Sequence, residues 1–224
     1  MHALNPTDNA LAIEALQHRL SFEPATFALV IAGPSGVGKT TLCQELLQSE
    51  TDLRRCVTTT TRPPRPEEID GVERHFVSQE EFGDLLNKGA FIEHACVHGH
   101  LYGASFDAVF AAMKDGRTML MDVDIQGVAT WQKALGEKCV TVFILPPSLQ
   151  QLEERLASRQ TETETNFDLR MKNAIEELRQ ASLCDYIIEN DQLEQSLNYL
   201  KAIVLSERHR AFRMKSRLSA LGLN

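Results

Sequence analysis

The chain has 224 residues, 43% of them hydrophobic, and a formal net charge of −8. That length allows about one or two domains with a core able to fold without disulfides or a structural metal. The acidic balance argues against a protein whose main task is to coat nucleic acid or anionic lipid, and the longest apolar runs are strand-sized, short of a membrane span.

Residues 1–26 read as an N-terminal helical extension. Thr7 or Asp8 caps a helix running to about Leu20, with Ala12, Leu16 and Leu20 on one face and Pro24 beyond its end. It packs on the body or forms a leader, with a homodimerisation helix as the alternative. Glu14 and His18-Arg19 interrupt any signal-peptide apolar segment. The five cysteines, Cys43, Cys56, Cys96, Cys139 and Cys184, form no C-x-x-C pair. They are expected to be free thiols of a cytoplasmic protein.

Phe27–Ala32 is an unbroken apolar run, expected of a parallel strand buried on both faces. A glycine-rich turn follows, and then a helix from about Thr40 to Gln48. Further strands are predicted at Thr118–Val123, Val140–Leu145 and Tyr186–Glu189, and helices at Phe106–Lys114, Leu149–Ser158, Phe167–Ala181 and Gln192–Arg210. The alternation predicts an α/β fold with a central parallel sheet and helices on both faces. Its core is residues 27–53 and 103–210. The stretch 54–102 breaks the rhythm with Thr, Pro, Gly and short alternating runs, as a small, mostly β insertion would. A polar stretch at 159–169 reads as a lid. Residues 211–224 form a C-terminal helical tail, and the basic run Ser206–Arg217 reads as a solvated helix face rather than a nucleic-acid site.

The chemistry begins at Gly33-Pro34-Ser35-Gly36-Val37-Gly38-Lys39-Thr40, which matches G-x-x-x-x-G-K-[ST]. Glycines let successive N–H groups face phosphate oxygens. The lysine reaches the β- and γ-phosphates, the Thr40 hydroxyl can ligate Mg²⁺, and the helix that follows adds its positive end. Here the pattern lies between a buried strand and a helix, its required context. Asp122 ends a predicted strand at the usual ligand crevice of such sheets, where a carboxylate can hold Mg²⁺ beside the loop. Arg62, Arg65, Arg155, Arg159 and Arg170 supply the cations that phosphoryl transfer needs. A phosphorylated acceptor would need no general base, since its nucleophile is already ionised.

From Phe27 to about Arg210 the chain resembles the guanylate kinases, P-loop enzymes that phosphorylate GMP or dGMP with ATP. The resemblance is carried by Thr58-Thr-Thr-Thr-Arg62-Pro-Pro-Arg65, Glu68-x-x-Gly71, Phe76-Val-Ser78, Gly89-Ala-Phe-Ile-Glu93, Tyr102-Gly103 and Asp122-Val-Asp124-Ile-Gln126-Gly127. Pro146-Pro147-Ser148 and Arg155-x-x-x-Arg159 complete it. It implies that Glu93 accepts hydrogen bonds from guanine N1–H and the 2-amino group, a donor pair that adenine lacks. It also implies that Thr58, Asp122 and Asp124 lie around the base or metal, and that Arg62, Arg65 and Tyr102 hold the acceptor phosphate. Arg155, Arg159 and Arg170 belong to the lid side. Asn190, with the loop from Gly33 through Thr41, lies on the ATP side. ATP is then the co-substrate and small nucleotides are the partners, with no nucleic acid or membrane. The chain departs from the family at Arg74, where a tyrosine is usual and a guanidinium can bind phosphate instead. It departs again at Ala104, where Ser or Thr is usual, and less at Glu67 and Gln160. Two alternatives stay open: a kinase for a different phosphorylated acceptor, and a non-catalytic guanylate kinase-like interaction domain.

Overall fold

The computed structural model describes residues 6–22, 25–72, 74–97, 99–157 and 164–222. In chain order the elements are α1 (Pro6–Ser21), β1 (Ala28–Ala32), α2 (Lys39–Ser49), β2 (Leu53–Arg55), β3 (Thr58–Thr60) and β4 (Arg74–Phe76). Next come α3 (Gln79–Asn87), β5 (Phe91–Val97), β6 (His100–Ser105), α4 (Phe106–Met113), β7 (Thr118–Asp122) and α5 (Ile125–Leu135). The chain continues through β8 (Cys139–Leu145), α6 (Leu149–Ala157), α7 (Glu164–Leu178), β9 (Tyr186–Glu189), α8 (Leu193–Arg208) and α9 (Lys215–Ala220).

Five parallel strands form the main sheet in the order β2-β7-β1-β8-β9. β1 lies at its centre and all five of its residues are buried. Because side chains alternate across a strand, β1 feeds two cores. Ala28, Val30 and Ala32 join the face covered by α1, α4 and α5, with Leu16, Val109, Val128 and Trp131. Leu29 and Ile31 join the opposite face, with Leu42, Leu46, Leu152, Ala174, Leu200 and Val204 of α2, α6, α7 and α8. Each buried leucine contributes about 1.5–3 kcal/mol of transfer free energy. The predicted α/β fold with a central parallel sheet is what the chain adopts.

The strand order also locates the ligand crevice. The chain leaves β1 for β2 on one side, returns through β7, and crosses to β8 on the other side of β1. The order reverses at the carboxyl end of β1, where such sheets bind ligands.

A second sheet, β4-β3-β6-β5, stands at the same edge, with β3 and β4 parallel and the other pairs antiparallel. Ser78 closes a capping box with Glu81 at the start of α3. Phe82 of that helix stacks on Phe91 at 4.6 Å. Gly103 lies flat against this pair, since a Cβ there would be 2.6 Å from the Phe91 ring.

Three elements were not anticipated by the periodicity: β2, α3 and α5. Of the polar stretch at 159–169, read as a lid, the part from Glu164 onward belongs to α7. Arg159 and Gln160 lie outside the described residues. The solvated reading of the basic C-terminal run holds for His209, Arg210, Lys215 and Arg217 and fails at Arg213. The helix stops at Arg208, and Arg213 is fully buried. Its guanidinium lies over the rings of Phe27 and Phe212 at 4.7 and 4.6 Å. It donates to the carbonyls of Thr26 and Glu137 at 3.3 and 3.0 Å and to Glu207 at 3.2 Å. A buried cation needs partners on several sides, and these supply them.

Candidate active site

The loop between β1 and α2 has the shape its glycines allow. Gly33, Gly36 and Gly38 take φ of 139°, 88° and 96°, a region that side chains disfavour. A Cβ on Gly33 would lie 2.6 Å from the Ile144 carbonyl, and one on Gly38 would lie 2.5 Å from the Asn190 amide nitrogen. Asn190 stands directly behind the loop. It donates from Nδ2 to the Val37 carbonyl at 2.7 Å, and its own carbonyl accepts from Arg155 at 3.3 and 3.4 Å. Both residues thereby brace the loop.

Lys39 opens α2 and folds back over the loop, donating to the carbonyls of Gly33 and Pro34. Burial pushes its pKa down, opposed by the charges of Glu177, Asp122 and Asp124. Thr40 and Thr41 are exposed at the same helix end. Arg170 reaches from α7 to the Ser35 hydroxyl at 3.0 Å, so the lid-side helix already touches the loop.

Beside the loop, between the two sheets, lies a cavity of about 230 Å³. Six of the residues assigned to the acceptor side line it, Thr58, Arg74, Glu93, Tyr102, Asp122 and Asp124, and Ala104 lines it with them. Glu93 comes from β5 and accepts the indole N–H of Trp131 on α5. Burial raises its pKa, the Trp131 bond opposes that, and the Asp124 charge adds to it. Gly127 leaves room for this carboxylate, because a Cβ there would sit 2.3 Å from Glu93 Oε1. Asp124 caps α5 by accepting the Gly127 N–H at 2.9 Å. Arg74 donates to the Thr58 hydroxyl and lies 5.3 Å from the centre of the Tyr102 ring. Asp122 sits 3.4 Å from Arg55.

Arg62 and Arg65 belong to the rim. Arg62 donates from Nη2 to both carboxylate oxygens of Glu68 at 2.7 and 2.9 Å, and Glu68 also accepts the Arg65 backbone N–H at 2.8 Å. These bonds, the Arg62 one foremost, hold the Glu68 carboxyl below the ordinary carboxylate range. Sequence reasoning did not single out Arg55, Trp131 or the bracing role of Asn190. Arg55 carried no local signal, because β2 becomes a strand only through its pairing with β7.

Burial pushes the thiols of Cys43, Cys56 and Cys139 up to about 12 and that of Cys184 to about 11, which leaves them little thiolate character. Among the described residues no cluster of three or more His, Cys, Asp or Glu could hold a metal, and no helix is long and apolar enough to cross a membrane.

A lysine-bearing phosphate loop at the switch point of a parallel sheet, facing a second site on a small β insertion, defines a P-loop phosphotransferase. The family model for Guanylate kinase matches residues 26–207. The chain is 40% identical to the guanylate kinase of Syntrophotalea carbinolica over 192 residues, covering 86% of this chain and 91% of the relative. It is 37% identical to that of Caldanaerobacter subterraneus subsp. tengcongensis, covering 88% and 95%. The crystal structure of guanylate kinase from Anaplasma phagocytophilum superposes with a TM-score of 0.67 at 28% identity, covering 87% of this chain and 94% of that one. The chain belongs to the guanylate kinase family and is a nucleoside monophosphate kinase.

Proposed function

We propose that the protein transfers the γ-phosphoryl group of ATP to GMP or dGMP. The observation that carries this is Glu93, a carboxylate held by Trp131 in a cavity beside the phosphate loop. A fixed acceptor of hydrogen bonds there suits the adjacent N1–H and 2-amino donors of guanine. A site built for one hydrogen-bonding edge can reject another by roughly 10⁴–10⁵.

In this reading the loop from Gly33 to Thr41, braced by Asn190, cradles the ATP phosphates, and Lys39 leaves its two carbonyls for the β- and γ-oxygens. Thr58, Glu93 and Asp124 orient the base, with Asp122 beside them. Arg62, Arg65, Arg74 and Tyr102 take the acceptor phosphate, for which Arg62 must exchange Glu68. An ionised oxygen of that phosphate attacks the γ-phosphorus while the bond to the β,γ-bridging oxygen breaks, releasing ADP. Proton abstraction is unnecessary because the attacking oxygen is already anionic. Lys39, Arg62, Arg155, Arg159 and Arg170 neutralise the charge spread over the migrating group. Thr40 and Asp122 fit Mg²⁺, which such sites hold through one or two protein oxygens plus the substrate phosphates, and which would add charge stabilisation there. The buried free thiols support a cytoplasmic setting.

A coupled ADP-release assay across GMP, dGMP, AMP, CMP, UMP and IMP tests the reading. Turnover with GMP and dGMP is expected. Equal turnover with AMP would remove the role given to Glu93, and turnover with none would overturn nucleotide kinase activity.

A further inference from the structure

Arg55 is absent from every role so far assigned. It ends β2, paired with Leu120 of β7, and therefore stands at the carboxyl edge of the sheet beside Asp122. From there it lines the same cavity as Arg74, which arrives on β4 of the other sheet. We infer that Arg55 binds the acceptor's phosphate, acting as a pair with Arg74 on two walls of the cavity. This rests on the reading of the cavity as the acceptor site.

Geometry and charge carry the inference. Only one nitrogen of Arg55 meets Asp122, at 3.4 Å, with both side chains 35% exposed. Arg62 holds Glu68 far more closely, one nitrogen reaching both carboxylate oxygens at 2.7 and 2.9 Å. A long, single, half-exposed contact stabilises little and leaves the guanidinium able to change partner. Arg74 is bonded to a neutral hydroxyl and stacked on Tyr102. Burial disfavours its charge, and the Arg55 and Arg62 charges add to that.

Of the three carboxylates in the cavity, Glu93 and Asp124 make other bonds. Glu93 is engaged by Trp131 and Asp124 by the Gly127 N–H. Asp122 is left to face two guanidiniums. Two guanidiniums that share one carboxylate keep N–H donors to offer an anion. A phosphate dianion presents the charge and the several acceptor oxygens that two planar donor forks can share. If Arg55 served only to neutralise Asp122, its loss would disturb every ligand of the cavity alike. A phosphate ligand would be missed only by phosphorylated acceptors.

Calorimetric titration of the full chain with GMP, guanosine and ATP separates the two roles. Arg55→Leu is expected to weaken GMP by about 10- to 100-fold, the loss of charge-assisted bonds, while guanosine and ATP stay within about twofold. Arg55→Lys should recover part of the GMP affinity, because it returns the charge without the fork. Should the leucine variant not fold, Arg55→Gln replaces it in the same comparison. Unchanged GMP affinity, or an equal loss for GMP and guanosine, overturns the inference. If the wild-type protein ignores GMP, the titration passes to whichever phosphorylated acceptor supports ADP release. An Arg55-dependent loss there keeps the inference while the guanine reading falls, and the absence of one removes both.

Discussion

The indole N–H of Trp131 donates to the carboxylate of Glu93 across the contact between α5 and β5. Through this bond a side chain of the main domain favours the ionised form of a group on the smaller sheet, against the effect of burial. Burial raises the Glu93 pKa, and the Trp131 bond lowers it. The folded protein thus holds the Glu93 proton more tightly than the unfolded chain does. The group's contribution to stability is complete below the ordinary carboxylate range and is lost as pH rises through the raised value. Acceptor binding has the opposite sign, because guanine donors require the ionised carboxylate. Trp131→Phe is therefore expected to move the acid limb of kcat/KM for GMP to higher pH, since that profile reports the free enzyme. A profile that stays in place would separate Glu93 from acceptor recognition.

Gly127 offers a test in which stability and function pull apart. Alanine is favoured over glycine inside a helix by about 1 kcal/mol. Its Cβ would nevertheless sit 2.3 Å from Glu93 Oε1 and displace the carboxylate. Gly127→Ala is expected to raise the KM for GMP by about tenfold, equivalent to one lost hydrogen bond to a charged group. The KM for ATP and the melting temperature should hold. Parallel rises in both KM values would show a general disturbance instead.

Lys39 rests on two loop carbonyls in the ligand-free protein, so replacing it removes little of the fold. Lys39→Met is expected to lower kcat by roughly 10²–10³, the usual effect of deleting one donor to developing charge. Circular dichroism and thermal unfolding should match the wild type. Retained turnover would take the lysine out of the proposed chemistry.

Far from the active site, Arg213→Met should act on stability alone. It leaves Glu207, which is 3% exposed, without its buried cation, although Tyr186 still donates to it at 2.8 Å and the more exposed Arg210 stays 3.6 Å away. Breaking a buried pair from one side costs about 3–5 kcal/mol. Urea unfolding measures this loss, and adding Glu207→Gln should recover part of it. A loss equal in the single and double variants would show that the pair is not coupled.

What the sequence made legible follows from how local each signal is. β1 and its loop were readable because an apolar run and the glycine spacing are properties of neighbouring residues. Thr58, Glu93, Tyr102 and Asp124, drawn from distant segments, came only through the resemblance, yet they line one cavity. α5 was missed although Ile125, Val128, Trp131 and Leu135 repeat at helical spacing. Its first turn, Asp124 to Gly127, was read for chemistry alone. β2 was missed because Leu53-Arg54-Arg55 looks like a solvated stretch, and it becomes a strand only through backbone pairing with β7. Arg213 is the sharpest case: its local pattern is that of a polar helix face, and its burial is set by Phe27 and Thr26.

That last contact also bears on when the protein becomes whole. Arg213 and Thr26 are 187 positions apart. At a synthesis rate of roughly 5–20 residues per second, the guanidinium that seals the base of β1 follows that strand by on the order of 10–40 seconds. Until then the residues leading into the phosphate loop lack their last neighbour, and Glu207 lacks the buried one of its two cations. A nascent chain can thus pair β1 with β7 and β8 before Arg213 is made, so its triphosphate cradle acquires a finished foundation later than the sheet that carries it.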